Sequence, residues 1–398
     1  MNGQRNRLAQ GGAIDRNRPL AFTFNGRRMQ GFDGDTLAAA LLANGVSIVG
    51  RSFKYHRPRG VYGAGVEEPN AIVDLVHEGR HDPNAKATLV ELADGMIVHS
   101  VNCWPSVERD FYGALDRLHR FLPSGFYYKT FMRPSWHAHE PYIRRLAGVG
   151  TVGKTVDETR YETRHAHCDM LVVGAGPAGL AAARAAAAAG LRLILVDDQL
   201  RCGGALLWQD AEIDGMPAAA WVEATVAQIR RNPDALVLTR TTAFGYFDHN
   251  FLALIERRTE AAPGWARESL WKVRAKGVVL ATGAIERPLV FPNNDRPGVM
   301  SADAVRRYIR QYGVRPGRHA VVLTNNDSAY DAAIALRQSG AEVTLLDVRA
   351  DPPAACLEAA RANRVPVWSG QTIVDLSGRS RVTAVRIRET VFQSVSLG

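Results

Sequence analysis

Hydrophobic and polar positions alternate with strand-like spacing from Leu20 to about Val98, broken by one helical patch. Ala21–Phe24 runs into the turn Asn25-Gly26 and strand character resumes at Arg28, which predicts a hairpin. Asp35-Thr36 then caps the apolar run Leu37–Leu42, and Asn44-Gly45 ends it. Strand, hairpin, strand and helix in that order open a β-grasp domain, expected over residues 1–100, with residues 1–18 a basic tail or edge strand. Residues 101–166 carry Trp104, Pro105, Pro123, Phe126, Tyr127, Tyr128, Trp136 and Pro141 without a clean period. They read as a connecting segment packed against something, with Val107–Phe121 open to a helical linker. From His167 the pattern changes to apolar strand, glycine loop, helix and strand, which places a first Rossmann unit over residues 167–300. A second unit follows over residues 301–398, with strands His319–Thr324 and Glu342–Asp347 around helix Ala329–Gly340. The fold class is therefore α/β.

Composition narrows this picture by exclusion. With 398 residues, 46% hydrophobic and 22% charged, the chain can bury two or three ordinary cores, which rules out a disordered or fibrous chain. No apolar run reaches eighteen residues, so no spanning helix and no membrane are expected. Met1-Asn-Gly-Gln-Arg5 leads into no apolar stretch, so no secretory signal is expected. The net charge of +9 comes from arginines spread along the whole chain without a nucleic-acid module, so no nucleic-acid partner is expected. Cys103, Cys168, Cys202 and Cys356 lie far apart in sequence, which suggests reduced thiols in the cytoplasm.

The sharpest chemistry lies in Met170-Leu-Val-Val-Gly174-Ala-Gly176-Pro-Ala178-Gly179, a G-x-G-x-x-G placed between a buried strand and a helix. Gly174 permits the tight turn, Gly176 lets the backbone approach a pyrophosphate, and Gly179 lets helix and strand pack closely. The diphosphate would sit at the helix N-terminus, where free N–H groups and the dipole favour negative charge. Gly190 ends that helix, Leu191–Val196 is the next strand, and Asp197 follows, placed for an adenosine ribose and favouring NAD or FAD over NADP. Cys202-Gly203-Gly204-Ala205 and Ala281-Thr282-Gly283-Ala284 add small-residue turns where the backbone passes a cofactor. Cys202 has no second cysteine nearby and reads as a plain buried thiol. The corresponding loop of the second unit, Thr324-Asn-Asn-Asp-Ser-Ala, has no fingerprint glycine, and Asp327 would repel a phosphate. One dinucleotide per chain is expected.

Longer stretches carry a resemblance. Gly50-Arg-Ser-Phe-Lys-Tyr-His-Arg-Pro-Arg-Gly60, Glu68-Pro-Asn-Ala71, Asn102-Cys-Trp-Pro-Ser106, Gly125–Met132, Glu286-Arg-Pro288, Asn294–Gly298 and Thr324–Tyr330 together resemble the N-terminal half of the alpha subunit of heterotetrameric sarcosine oxidase. The resemblance implies a ferredoxin-like β-grasp domain. Its loop Arg59–Pro69 contains no cysteine, so no iron–sulfur cluster is expected. It implies NAD in the first Rossmann unit, with FAD as the alternative, and FMN and FAD on or at the interface with a beta-type partner. Gly174, Gly176, Ala178 and Gly179 match the phosphate loop, and Asp197, Asp198 and Gln199 the adenosine side. Gly204 and Ala205 belong to the double-glycine loop, Ala243-Phe244 would pass the adenine, and Thr282-Gly283 the far end. The holoenzyme implied demethylates sarcosine to glycine with oxygen, giving hydrogen peroxide and passing a one-carbon unit to tetrahydrofolate. A beta-type flavin subunit and smaller gamma- and delta-type subunits are its implied partners. The family's folate-binding half has no counterpart before Gly398, nor has the segment that would complete the first nucleotide domain.

No catalytic constellation or metal site emerges. His165 with His167, and His137 with His139, have i, i+2 spacing that packing or solvation explains as well as ligation does. Lys54, His56, Arg57 and Arg59 suit a solvated loop, a salt-bridged interface or a flavin-phosphate contact, and Lys129 a packing role. Two rival readings stand beside the subunit reading. One is an FAD-dependent, NADH-using oxidoreductase of the pyridine nucleotide-disulfide reductase type; the other is an assembly subunit without nucleotide.

Overall fold

The computed structural model describes residues 3–121, 125, 130–148, 150, 153, 158–258 and 266–389. They fall into two compact units, one formed by Met1–Val156 with Glu286–Gly398 and the other by Asp157–Ile285. In the first, Asn25 and Gly26 both take positive φ, at 50° and 74°. A type I′ hairpin requires that geometry, and it joins β1 (Asp15–Phe24) to β2 (Arg27–Asp33). The Thr36 hydroxyl accepts from the Ala39 N–H at 3.2 Å and starts α1 (Leu37–Ala43), all seven residues of which are buried. After the short pair β3 (Gly50–Arg51) and β4 (Pro58–Arg59) come β5 (Ile72–His77), β6 (Arg80–Lys86) and β7 (Ile97–Ser100). The five-stranded sheet has order β2-β1-β7-β5-β6, with β1 and β7 parallel. A 3₁₀ helix (Phe111–Phe121) and α2 (Trp136–Ala147) follow, neither burying a residue. Phe126–Lys129 and Pro123, singled out in the aromatic segment, lie outside the described residues.

The lead-in is no free tail. Arg7 grips Asp35 with two hydrogen bonds, at 2.6 and 3.0 Å, and donates a third to the Tyr312 carbonyl at 2.7 Å. Both side chains are buried. Beyond β4, Glu68 is buried and accepts four backbone N–H groups, from Tyr62, Gly63, Asn70 and Ala71, at 2.6 to 2.9 Å. Glu67 takes those of Ala64 and Gly65. The loop is folded around carboxylates.

The second unit is a six-stranded sheet of order β12-β9-β8-β15-β14-β13. Its parallel part is β8 (Tyr161–Val173), α3 (Pro177–Ala188), β9 (Leu193–Val196), α4 (Ala218–Ile229) and β12 (Ala235–Leu238). The short hairpin β10 (Glu212–Ile213) and β11 (Met216–Pro217) precedes α4. An antiparallel meander closes the sheet, β13 (Thr241–Phe247), β14 (Phe251–Arg257) and β15 (Glu268–Leu280), with β15 parallel to β8 from Tyr161↔Glu268 to Val173↔Leu280. So β8 begins six residues before His167, and residues 161–166 are strand. Their polarity hides this, because the ladder depends on a partner about 107 residues away, as Tyr161↔Glu268 shows.

In the rest of the first unit, Glu286 accepts the N–H groups of Ala302 and Asp303 and so caps α5 (Ala302–Tyr312). Arg59 holds Asp295 at 2.6 Å, and the Tyr308 hydroxyl donates to the Gly63 carbonyl at 2.9 Å. Three of the quoted motifs are thus scaffold. The second βαβ unit is β16 (His319–Thr324), α6 (Ser328–Gln338), β17 (Glu342–Asp347), α7 (Ala354–Ala362) and β18 (Val367–Ser369), a three-stranded parallel sheet beside the hairpin β19 (Gln371–Ser377) and β20 (Ala384–Glu389). No described helix is long and apolar enough to cross a membrane.

Candidate functional site: the phosphate loop of the first βαβ unit

Each fingerprint glycine is fixed by what surrounds it. Gly174 ends β8 at φ 99°, and a Cβ there would strike the Ala281 carbonyl, because the Ala281 N–H bonds Val173 O at 2.7 Å. At Gly179 a Cβ would strike the Gly174 carbonyl. Gly176 is different: it caps α3 with ordinary extended dihedrals, and its nearest would-be neighbour is Gly204 Cα at 3.9 Å. Among the described residues nothing requires glycine at 176. Pro177 opens the helix without a donor, so the unsatisfied first-turn N–H groups begin at Ala178 and Gly179. Gly204, at φ 52°, brings the second loop close: a Cβ on it would stand 2.8 Å from Gly176 Cα. The Gly203 N–H bonds Ala175 O at 2.8 Å, and Ala205 follows in the 3₁₀ turn Gly204–Leu207.

Asp197 is buried, and its two oxygens accept from Ala175 N at 2.6 Å and Gln199 N at 2.9 Å. It braces the phosphate loop as well as ending β9, a duty its sequence spacing does not reveal. Asp198 is half-buried and accepts from the Gln199 amide at 2.8 Å. The strip meets β13, since Thr241 N bonds Asp197 O and Arg240 N bonds Gln199 O. Ala243 is half-buried there and Phe244 exposed; Thr282 and Gly283 are exposed just past Ala281. Burial pushes the Cys202 thiol up to about 11, with Asp197 adding to the effect, so it stays protonated at neutral pH. Burial does the same to Cys103 and Cys168, both to about 11.

In the second unit the equivalent loop is filled by its own side chains. The Asn326 side-chain oxygen accepts from the Ser328 N–H and hydroxyl, and Thr324 bonds Asn326 twice. Arg349 bridges Asp347 and Asp327 at 2.8 Å each, and Tyr330 donates to Asp347 at 2.9 Å. Burial works to raise the Asp347 carboxyl, yet the bonds from Arg349 and Tyr330 hold it below the usual range. Such a carboxylate stabilises the fold above its unfolded value of about 4 and loses that contribution as pH falls through its folded value. Arg349→Met should therefore cost about 2 kcal/mol near neutral pH and flatten the decline in thermal stability between about pH 5 and pH 2. Melting curves across that range check it.

The other candidates separate. His56 is buried between Asp110 and the Leu146 carbonyl, each at 2.8 Å, and Arg57 pairs with Asp116. Lys54 stands over the Tyr55 ring. His139 bonds the Arg133 carbonyl, whereas His137, His165 and His167 are exposed. No group of three or more metal-ligating side chains occurs among the described residues. Sequence reasoning missed Arg7 and Arg349 and the structural role of Glu68; the acidic pair Glu67-Glu68 just beyond the glycine-rich Gly60–Gly65 was the one available signal.

A strand–glycine loop–helix with a braced acid defines a dinucleotide-binding Rossmann module of an oxidoreductase. Residues 168–393 match the pyridine nucleotide-disulphide oxidoreductase family, and the chain belongs to it. It is 50% identical over 347 residues to the sarcosine oxidase subunit alpha of Rhizobium meliloti (strain 1021), covering 85% of this chain and 35% of that protein. It is 40% identical over 370 residues to the subunit alpha of Corynebacterium sp. (strain P-1), covering 91% and 34%. The resemblance read from the motifs is borne out, and the chain spans about a third of the length of these curated relatives. L-proline dehydrogenase from P. horikoshii shares the fold, with a TM-score of 0.59 at 19% identity over 97% of this chain and 60% of that one.

One expectation is corrected. Residues 17–103 match the 2Fe-2S iron-sulfur cluster binding domain, so the N-terminal domain is of the cluster-binding type. Its reading as cluster-less rested on one loop without cysteine, a narrower signal than a match across the domain. Cys103 is the one cysteine in the matched span, and the described residues assemble no metal-ligand group. The donor set does not fit the group, and no chemical step is routed through it.

Proposed function

We propose that this chain is the dinucleotide-binding, alpha-type subunit of a sarcosine oxidase-like complex, holding NAD, or alternatively FAD, in its first βαβ unit. The complex would demethylate sarcosine to glycine with oxygen, giving hydrogen peroxide and passing the one-carbon unit to tetrahydrofolate. The flavin chemistry would lie on a beta-type partner. The observation that carries the reading is the open space at Gly176, where the packing leaves room that glycine alone keeps clear. A nicotinamide or flavin dinucleotide supplies two-electron redox chemistry when bound. The chain's own residues have the simpler work of seating it. First-turn N–H groups at Ala178 and Gly179 face the diphosphate, Asp197 keeps the loop rigid, and Asp198 and Gln199 border the ribose. The filled loop of the second unit supports one dinucleotide per chain. Mass spectrometry of the ligand released by heating the purified protein tests this directly. About one NAD per chain is expected; FAD with NADH oxidation by this chain alone favours the reductase reading, and an empty protein favours a pure assembly role.

A further inference from the structure

The two faces of the β8–β15 sheet handle charge in opposite ways. On one face, Glu162, Arg164, Glu256 and Arg258 compensate one another through Glu162–Arg164, Glu162–Arg258 and Glu256–Arg258 pairs. On the other, the parallel register sets Lys272 beside His165 and Arg274 beside His167. Among the described residues no ion pair or side-chain hydrogen bond joins any of these four to a partner; Arg274 has only a ring contact, 5.4 Å over Phe251. The acids of this face stand at its ends. Asp169 is held by Arg192 and Lys276, Glu268 lies opposite Arg257, and Asp248 in the β13–β14 turn makes no ion pair with Arg274. Lys272 and Arg274 are thus two fixed cations, two residues apart on β15, with no local acid to neutralise them, and an acidic partner surface would complement this face.

Along one side of that pair runs an apolar strip. Register continues the face through Phe251 and Ile255 on β14 to Phe247 on β13, and Phe247 is 54% exposed. Arginine beside exposed aromatic side chains is the composition of protein–protein contact surfaces. A nucleic acid would ask for more: six to ten phosphate contacts are usual for such complexes, against two fixed cations here.

We propose that this face, centred on His165, His167, Lys272 and Arg274, docks an acidic, apolar-edged surface of another polypeptide in the complex. The proposal rests on the reading that the chain works with other subunits, and it is independent of whether the dinucleotide site is filled. Carbodiimide cross-linking of the purified complex tests it, since the reagent joins a lysine amine to a carboxylate only in direct contact. A link from Lys272 to an Asp or Glu of a different chain is expected, absent in Lys272→Arg although that complex stays assembled. The double variant Lys272→Glu with Arg274→Glu should weaken assembly at least tenfold at low salt, whereas Arg318→Glu, an exposed charge reversal elsewhere, should not. Dinucleotide content per chain should be unchanged in all three, which separates this proposal from the cofactor assignment. Lys272 equally reactive in the complex and in the free chain, links only within its own chain, or photo-cross-linking of this face to nucleic acid each overturns it.

Discussion

Gly176→Val will empty the dinucleotide site while leaving the unit folded. The dihedrals at 176, φ −74° and ψ −173°, suit valine as well as glycine, and the first atom its Cβ meets lies 3.9 Å away. The stability cost is that of a poor helix cap, about 1 kcal/mol. The ligand meets a different situation, because the added side chain stands where diphosphate oxygens must reach the first-turn N–H groups. Losing that contact costs about 3 kcal/mol, or roughly 100-fold in affinity. Wild-type protein should also gain about 2.7 kcal/mol of stability when the dinucleotide is at 100 times its Kd, and the variant should gain almost none. Gly174→Val and Gly179→Val are the informative contrasts, since both side chains collide with main-chain carbonyls and should lower the yield of folded protein first. Retention of wild-type dinucleotide content in Gly176→Val would overturn the assignment of the site.

That contrast shows what the sequence can and cannot convey. The fingerprint is local: its three glycines lie within six residues, between the end of β8 and the first turn of α3, so their geometry follows from their spacing. Asn25-Gly26 and Thr36 were legible for the same reason, each determining a turn or a cap through near neighbours. Asp197 directly follows β9, as its spacing predicts, whereas its bond to the Ala175 N–H spans 22 residues and was not legible. The start of β8 was out of reach, for Tyr161 becomes strand through Glu268. Arg7 is harder still: its carboxylate lies 28 residues ahead and its carbonyl 305 residues ahead. The N-terminal domain teaches the converse. One loop without cysteines suggested a cluster-less domain, whereas the pattern over residues 17–103 places it with the cluster-binding domains. The match identifies the type of domain, while the single cysteine in that span, Cys103, leaves its donor set short of what a cluster requires.

Glu68→Ala should be the most destabilising single change in the N-terminal domain, costing about 4 kcal/mol. Two carboxylate oxygens hold four N–H groups, those of Tyr62 and Gly63 on one and those of Asn70 and Ala71 on the other. Side-chain removal takes away charge-assisted bonds and leaves those donors facing one another in a buried space. Each unsatisfied buried group costs about 1–3 kcal/mol, and water entering the vacated volume recovers part of the total. The loss should spread beyond the loop, because the Gly63 carbonyl is the acceptor for Tyr308 on α5. Tyr308 is fully buried and its hydroxyl donates to that carbonyl, so α5 should loosen with the loop. Glu68→Gln is the discriminating partner: it keeps one accepting oxygen and turns an NH₂ toward two N–H donors, and should fall between wild type and alanine. Chemical denaturation, with hydrogen exchange read separately over residues 60–71 and 302–312, checks both variants. Equal stability of Glu68→Gln and wild type would show that the carboxylate charge is not what organises this loop.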